Sequence, residues 1–196
     1  MFRHLLQNSF ATRLAALVCA LLTAACNPTY DWREHHFDEG GFTILFPQKP
    51  GRAERKLTTP AGDVTMKMVS VRIEETVFGA ASAEFAAPPD AAALAAMHSA
   101  LLKNLEGRVQ SDQPVTSSAP AALAGREVIK RGTVGKSGNS GNSGNSSTGA
   151  RAMDAQQLRV RFFVRGTRYY QIAAMGRAGA VPDADLDLFF ASFKPD

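Results

Sequence analysis

Alternation of apolar and polar side chains first becomes regular at residue 42. Phe42, Ile44 and Phe46 alternate with Thr43 and Leu45, and Pro47, Pro50 and Gly51 end the run, which predicts a short strand and then a turn. Residues 52–59 and 63–73 flank Pro60, Ala61 and Gly62. In the second of these runs Val64, Met66 and Met68 occupy one parity, whereas Val69, Val71 and Ile73 occupy the other. A switch of parity predicts a β-bulge at Met68 and Val69. A further apolar run, 76–85, follows the acidic pair Glu74 and Glu75, and the three runs read as an antiparallel meander.

The period then changes. After Pro88 and Pro89, Leu94, Met97, Leu101 and Leu105 recur at helical spacing; Asp90 in the N-cap place and Gly107 in the C-cap place predict a helix over about 90–106. A Pro- and Ser-rich connection leads to strand-like runs at 125–134 and 157–165. For the hairpin that follows, a three-residue loop of Arg165, Gly166 and Thr167 sets Phe162 against Tyr170 and Val160 against Ile172, whereas a two-residue loop sets Arg161 beside Ile172. Hydrophobic matching favours the first register. Asp183, Asp185 and Asp187 open a last helix, about 183–193, whose Leu186, Phe189, Phe190 and Phe193 share one face and so should close the core.

Between the strand-like runs, residues 138–146 spell Gly-Asn-Ser three times within a tract of small polar residues at about 135–150. With nothing apolar to bury, the tract is expected to be a disordered loop. Closing sixteen residues in place of a short turn costs on the order of 1 kcal/mol, so a repeat-expanded hairpin loop is the reading rather than a domain linker.

The start of the chain follows different rules. Residues 1–13 carry Arg3, His4 and Arg13 without an acid, and residues 14–25 are uninterrupted apolar and small residues. Twelve residues of helix span about 18 Å, short of a hydrocarbon core of about 30 Å, so 1–25 reads as a cleaved export signal rather than a transmembrane anchor. The string Leu22, Thr23, Ala24, Ala25, Cys26 resembles the lipobox of bacterial lipoproteins, with Thr23 where a branched aliphatic residue is usual. That resemblance implies cleavage between Ala25 and Cys26 and acylation of the Cys26 thiol. Cys19 leaves with the signal, and acylation accounts for a lone mature cysteine in an oxidising compartment. Two or three acyl chains, at about 0.8 kcal/mol per buried methylene, hold such a protein on a membrane essentially permanently. Asn27 stands where inner-membrane lipoproteins resemble one another in carrying Asp, which points to the outer membrane, periplasmic face, with the inner membrane as the alternative. Residues 26–41, including Trp32, are expected to be a lipidated tether, and 42–196 a single domain.

Composition narrows the class further. The 196 residues are 45% hydrophobic and 20% charged, a globular balance. Losing Arg3 and Arg13 with the signal leaves 20 Lys and Arg against 18 acids, which argues against a nucleic-acid partner. The order FTILFP, meander, helix, GREV, RGTRYYQIAAMG and FFASF resembles the PsbP/Mog-like fold, to which periplasmic lipoproteins of the DcrB type are similar. The resemblance implies an α+β domain, an antiparallel sheet of about six to eight strands packed by two helices, and an accessory, assembly or binding role.

Candidate chemistry is thin. His35 and His36 sit among Glu34, Asp38 and Glu39, a donor set that suits a metal, yet adjacent residues of an extended segment point in opposite directions. His98 lies at the edge of the helical stripe and reads as a packing residue. Val134, Gly135, Lys136 and Ser137 match the end of a phosphate-binding loop, but the glycine required five places earlier is Lys130. Arg159, Arg161, Arg165 and Arg168 gather on the last hairpin and are candidate contacts for an anion or a partner, against a solvated strand face guarded from edge pairing. These residues call for no cofactor and no catalytic group. The leading expectation is a non-enzymatic envelope lipoprotein with an envelope protein partner; the alternatives are a carrier holding an apolar ligand between the sheet and the 90–106 helix, and a metal-dependent enzyme using His35 and His36.

Overall fold

The computed structural model describes residues 29–118, 122–134 and 155–196. Strands account for 58% of these residues and helices for 15%. The α+β expectation is therefore corrected: the described residues form a β-rich fold, built from two antiparallel sheets of three and seven strands and two short helices. In chain order the elements are β1 (Arg33–Phe37), β2 (Phe42–Phe46), β3 (Gly51–Thr59), β4 (Gly62–Ile73), β5 (Thr76–Glu84), α1 (Ala91–Leu102), β6 (Leu105–Thr116), β7 (Ala124–Val134), β8 (Gln156–Arg165), β9 (Arg168–Arg177), α2 (Asp183–Ala191) and β10 (Lys194–Pro195). The large sheet runs β3-β4-β5-β9-β8-β7-β6 and the small one β1-β2-β10.

The large sheet is the middle layer. On one face Ala93 and Met97 of α1 pack with Val64, Met66, Ala81, Val128, Leu158, Val160 and Phe162. On the other lie the small sheet and α2, joined by an aromatic lattice. Phe189 meets Phe78 at 5.2 Å and Phe46 at 5.6 Å, and Phe193 meets Tyr170 at 5.3 Å and Phe163 at 5.4 Å between ring centroids. Such pairs contribute about 0.5–1.5 kcal/mol each beyond their buried area. The Tyr170 hydroxyl donates to the Gly41 carbonyl at 3.1 Å, tying the lattice to the β1-β2 turn.

Cover on both faces explains the parity switch in β4 without a bulge. Its register with β3 and β5 is continuous through Met68 and Val69. Val64 and Met66 face the α1 side, and Val69 and Ile73 are buried on the other, so the burial changes sides while the backbone does not. The register shift falls instead in β6, between Val109 and Ser111.

Three further expectations are corrected by the strands. Residues 33–37, read as tether, pair with β2, and Trp32 beside them donates from Nε1 to Asp185 at 3.1 Å and meets Phe78 edge-on at 5.8 Å. The helix expected to reach residue 106 ends at Leu102. There Lys103 N–H bonds the Ser99 carbonyl and Asn104 N–H the Leu101 carbonyl, each at 3.0 Å. Leu105 keeps its buried place on the stripe but supplies it from a strand. Gly107 is thus no helix cap. It has φ +154° and faces Gly132 across β6 and β7, where a Cβ would meet the Arg131 carbonyl at 2.1 Å.

The last hairpin takes the register that pattern matching disfavours. Arg165 pairs with Arg168 across a two-residue loop, Phe162 with Gln171, Val160 with Ala173 and Arg161 with Ile172. Gly166, φ +60°, fills the first central position, as a II′ turn requires. The closing helix matches its expected face: Leu186, Phe189 and Phe190 are buried, as is Phe193 just beyond it, and Leu188 is exposed.

Candidate functional site

Arg161 can stand beside a buried isoleucine because its charge is matched within the protein. Glu127 of β7 lies opposite Arg161 in register and is 4% exposed. It accepts from Arg161 Nε at 2.6 Å and Arg159 Nε at 3.0 Å. Arg159 also reaches Asp187 of α2 at 2.8 Å. Both guanidiniums lie over the Phe190 ring, 4.8 and 5.2 Å from its centroid. Burial would raise the Glu127 carboxyl, but the Arg161 hydrogen bond and the charges of both arginines outweigh it and hold the group below its ordinary value.

The other two cations of the expected patch are engaged elsewhere. Arg168 donates to Glu84 at 2.6 Å, and Arg165 donates to the main-chain oxygen of Asp196. The four arginines are thus tied within the protein, two to Glu127 and one each to Glu84 and Asp196, rather than forming one open basic surface.

His35 and His36 do not converge either. His35 packs 6.2 Å from both Phe37 and Phe46, its Nε2 buried without a hydrogen-bond partner among the described residues. His36 is turned outward to Thr43 Oγ1 at 2.8 Å and Asp38 at 2.9 Å. Among the described residues no group of three or more His, Cys, Asp and Glu is placed to hold a metal. His98 stacks on Phe162 at 3.9 Å, and burial, then the Arg126 charge, lower its pKa to about 4. Ala25, Cys26, the Gly-Asn-Ser repeat and the Gly135, Lys136, Ser137 string lie outside the described residues. Among those described, no helix is long and apolar enough to cross a membrane.

Among the described residues an open cleft lies on the α1 side of the large sheet. Seven strands about 4.8 Å apart make a face roughly 29 Å wide, and the 12 residues of α1 extend only about 18 Å. Beyond Leu101 and Asn104 the sheet is left open as a cleft of about 290 Å³, with Met68, Ala81, Leu158 and Met175 among its lining. Its floor exists because the strands carry small residues there. Gly79 of β5 faces Ala173 of β9, and Ala81 faces Met68 on one side and Gln171 on the other. A branched or aromatic residue at Gly79 or Ala173, as strands prefer, would fill the space. Two methionines flank it, and their unbranched thioethers adapt to irregular apolar shapes.

No family model matches this chain. No curated protein matches its sequence either. The cleft's sequence signal is the low side-chain volume of GAASA in β5 and AAMG in β9, too small to fill the face of a sheet and too apolar for solvent.

Proposed function

We propose that the chain is an envelope lipoprotein, anchored through acyl chains on Cys26 at the periplasmic face of the outer membrane, whose domain acts by binding an apolar molecule rather than by catalysis. The observation that supports binding is the cleft beside α1. Its volume sits at the low end for small-molecule sites, which run from about 300 to 1,000 Å³, and its walls are aliphatic side chains with Asn104, Gln171 and Ser70 as the polar groups. That is the composition of a site that excludes water and orients a ligand through a few contacts. The metal-enzyme alternative has less support, since the two imidazoles face opposite sides of β1, His35 packed on Phe37 and Phe46 and His36 bonded to Thr43 and Asp38.

The test is what the protein carries. The chain is purified from membranes, washed, extracted with organic solvent, and the extract identified and quantified by mass spectrometry. The expected result is close to one equivalent of an apolar compound, lost in Ala173→Leu, whose side chain enters the floor of the cleft. If parent and variant carry equal amounts, the ligand is not in the cleft; if neither carries any, the binding reading fails.

A further inference from the structure

The charge around the cleft narrows what it holds. Register assigns every strand residue of the large sheet to one of two faces, and the α1 face carries Arg55, Arg72, Arg126, Lys130 and Arg177. Among the described strand residues of that face the sole carboxylate is Asp112. It is taken by Arg126, at 2.6 Å from Nε. Lys130 is spent on the Leu102 carbonyl at 2.9 Å, and Arg177 on Glu75 of the β4-β5 turn at 3.2 Å. Arg72 and Arg55 remain, both exposed, and neither lies within 4.0 Å of a carboxylate among the described residues.

Their places relative to the cleft are fixed. Arg72 is directly opposite Val77, a lining residue, and cross-strand neighbours have Cβ atoms about 4.5–5.5 Å apart. Arg55 stands two residues beyond the lining residue Ala53 on the same face. An aliphatic groove thus ends beside a cation that no carboxylate among the described residues neutralises.

Resting on the binding reading above, we infer that the ligand is a single-chain anionic amphiphile of the fatty-acid type, its alkyl chain on the Gly79–Ala173 floor and its carboxylate at Arg72. A cavity near the lower limit for ligand sites takes one chain rather than the two of a phospholipid. The opposite charge at its mouth selects an acid over an alcohol or alkane.

Membranes holding the full chain are exposed to a photoactivatable fatty acid with a diazirine on its chain, or to the fatty alcohol of equal length, and adducts are mapped by mass spectrometry. The acid should label peptides containing Met68, Leu101 and Met175 several-fold more than the alcohol does. Arg72→Gln should lower acid labelling about three- to fivefold, the worth of an exposed charge pair, and leave the alcohol unchanged. Gly79→Leu should abolish labelling by both. A Cβ there meets its nearest neighbour, the Val69 carbonyl, at 3.6 Å, so the backbone accepts the change, and circular dichroism of the variant confirms folding. If Gly79→Leu does not fold, Ala173→Leu replaces it. Equal labelling by acid and alcohol, unchanged in Arg72→Gln, overturns the anionic ligand and leaves the cleft reading intact. Absence of adducts at all three peptides overturns both, and cleft labelling by a two-chain phospholipid probe in preference to the fatty acid overturns the single-chain assignment.

Discussion

Glu127→Gln isolates the cost of an uncompensated charge, because glutamine keeps the shape and loses only the ionisation. In the parent, one carboxylate neutralises two guanidiniums whose side chains are 14% and 15% exposed, while its own is 5% exposed. After substitution Arg159 retains Asp187, and Arg161 is left with the Phe190 carbonyl at 3.3 Å and the ring beside it. Removing one partner of a buried pair typically costs about 3–5 kcal/mol. The retained amide contacts bring the expectation to about 3, or roughly 6–12 °C in a domain of this size. Asp112→Asn is the matched control. It breaks the same kind of carboxylate–guanidinium contact with Arg126, but both side chains are over 40% exposed, and exposed pairs contribute about 0–1 kcal/mol. Urea denaturation followed by circular dichroism measures both. The carboxyl is held below its ordinary 4.5, so its contribution is present above that pH and is lost as pH falls through the lowered value; the gap between parent and Glu127→Gln should close in acid. Equal losses for the two variants at neutral pH would refute the argument that burial makes this pair matter.

Further expectations follow from packing, titration and the anchor. Phe190→Ala, in the aromatic lattice and beneath both arginines, should lose about 3–5 kcal/mol, whereas Leu188→Ala, at a position 41% exposed, should lose under about 1; comparable melting temperatures would mean that α2 does not close the core. His98 is held neutral, its pKa lowered from 6.5 to about 4. The unfolded chain therefore binds a proton that the folded one refuses, and stability should fall as pH drops from 6.5 towards 4, by about 1–2 kcal/mol after solvent screening. His98→Phe should flatten that slope in thermal melts, and an unchanged slope counts against the assignment. Cys26→Ala should leave an unprocessed precursor that takes up no fatty-acid analogue, and a labelled variant would sink the lipid anchor.

The elements with the plainest period in the sequence were those buried by a single neighbour. FTILF, the Asp90 cap and the Leu186, Phe189, Phe190, Phe193 stripe each follow a local period set by one cover. β6 escaped notice because it is the edge of the sheet and nearly all exposed, so no alternation was impressed on LEGRVQSDQPVT, and its Pro114 is tolerated only at an edge. Without β6 and β1 the helices weighed too much, and the fold class leaned to α+β. The hairpin register failed for a different reason: Arg161 counts as polar in any pattern, and only the distant Glu127 makes its burial tolerable. The cleft was written in residue size rather than polarity, and binary patterning does not record a glycine or an alanine as a missing side chain.

The small sheet has a consequence for the order of events in folding. β2 is completed by β10, with Pro195 opposite Phe42 and the Asp196 N–H on the Gly41 carbonyl at 3.1 Å. The inner side of the β1-β2 hairpin, with Phe42, Ile44 and Phe46, is covered by α2 and Phe193. During synthesis the first strands of the domain therefore emerge some 140 residues before the partners that bury them. Contacts so distant in sequence are formed late and slowly. The small sheet is therefore completed only when the last residues of the chain are made, and until then the β1-β2 hairpin has no cover for Phe42, Ile44 and Phe46.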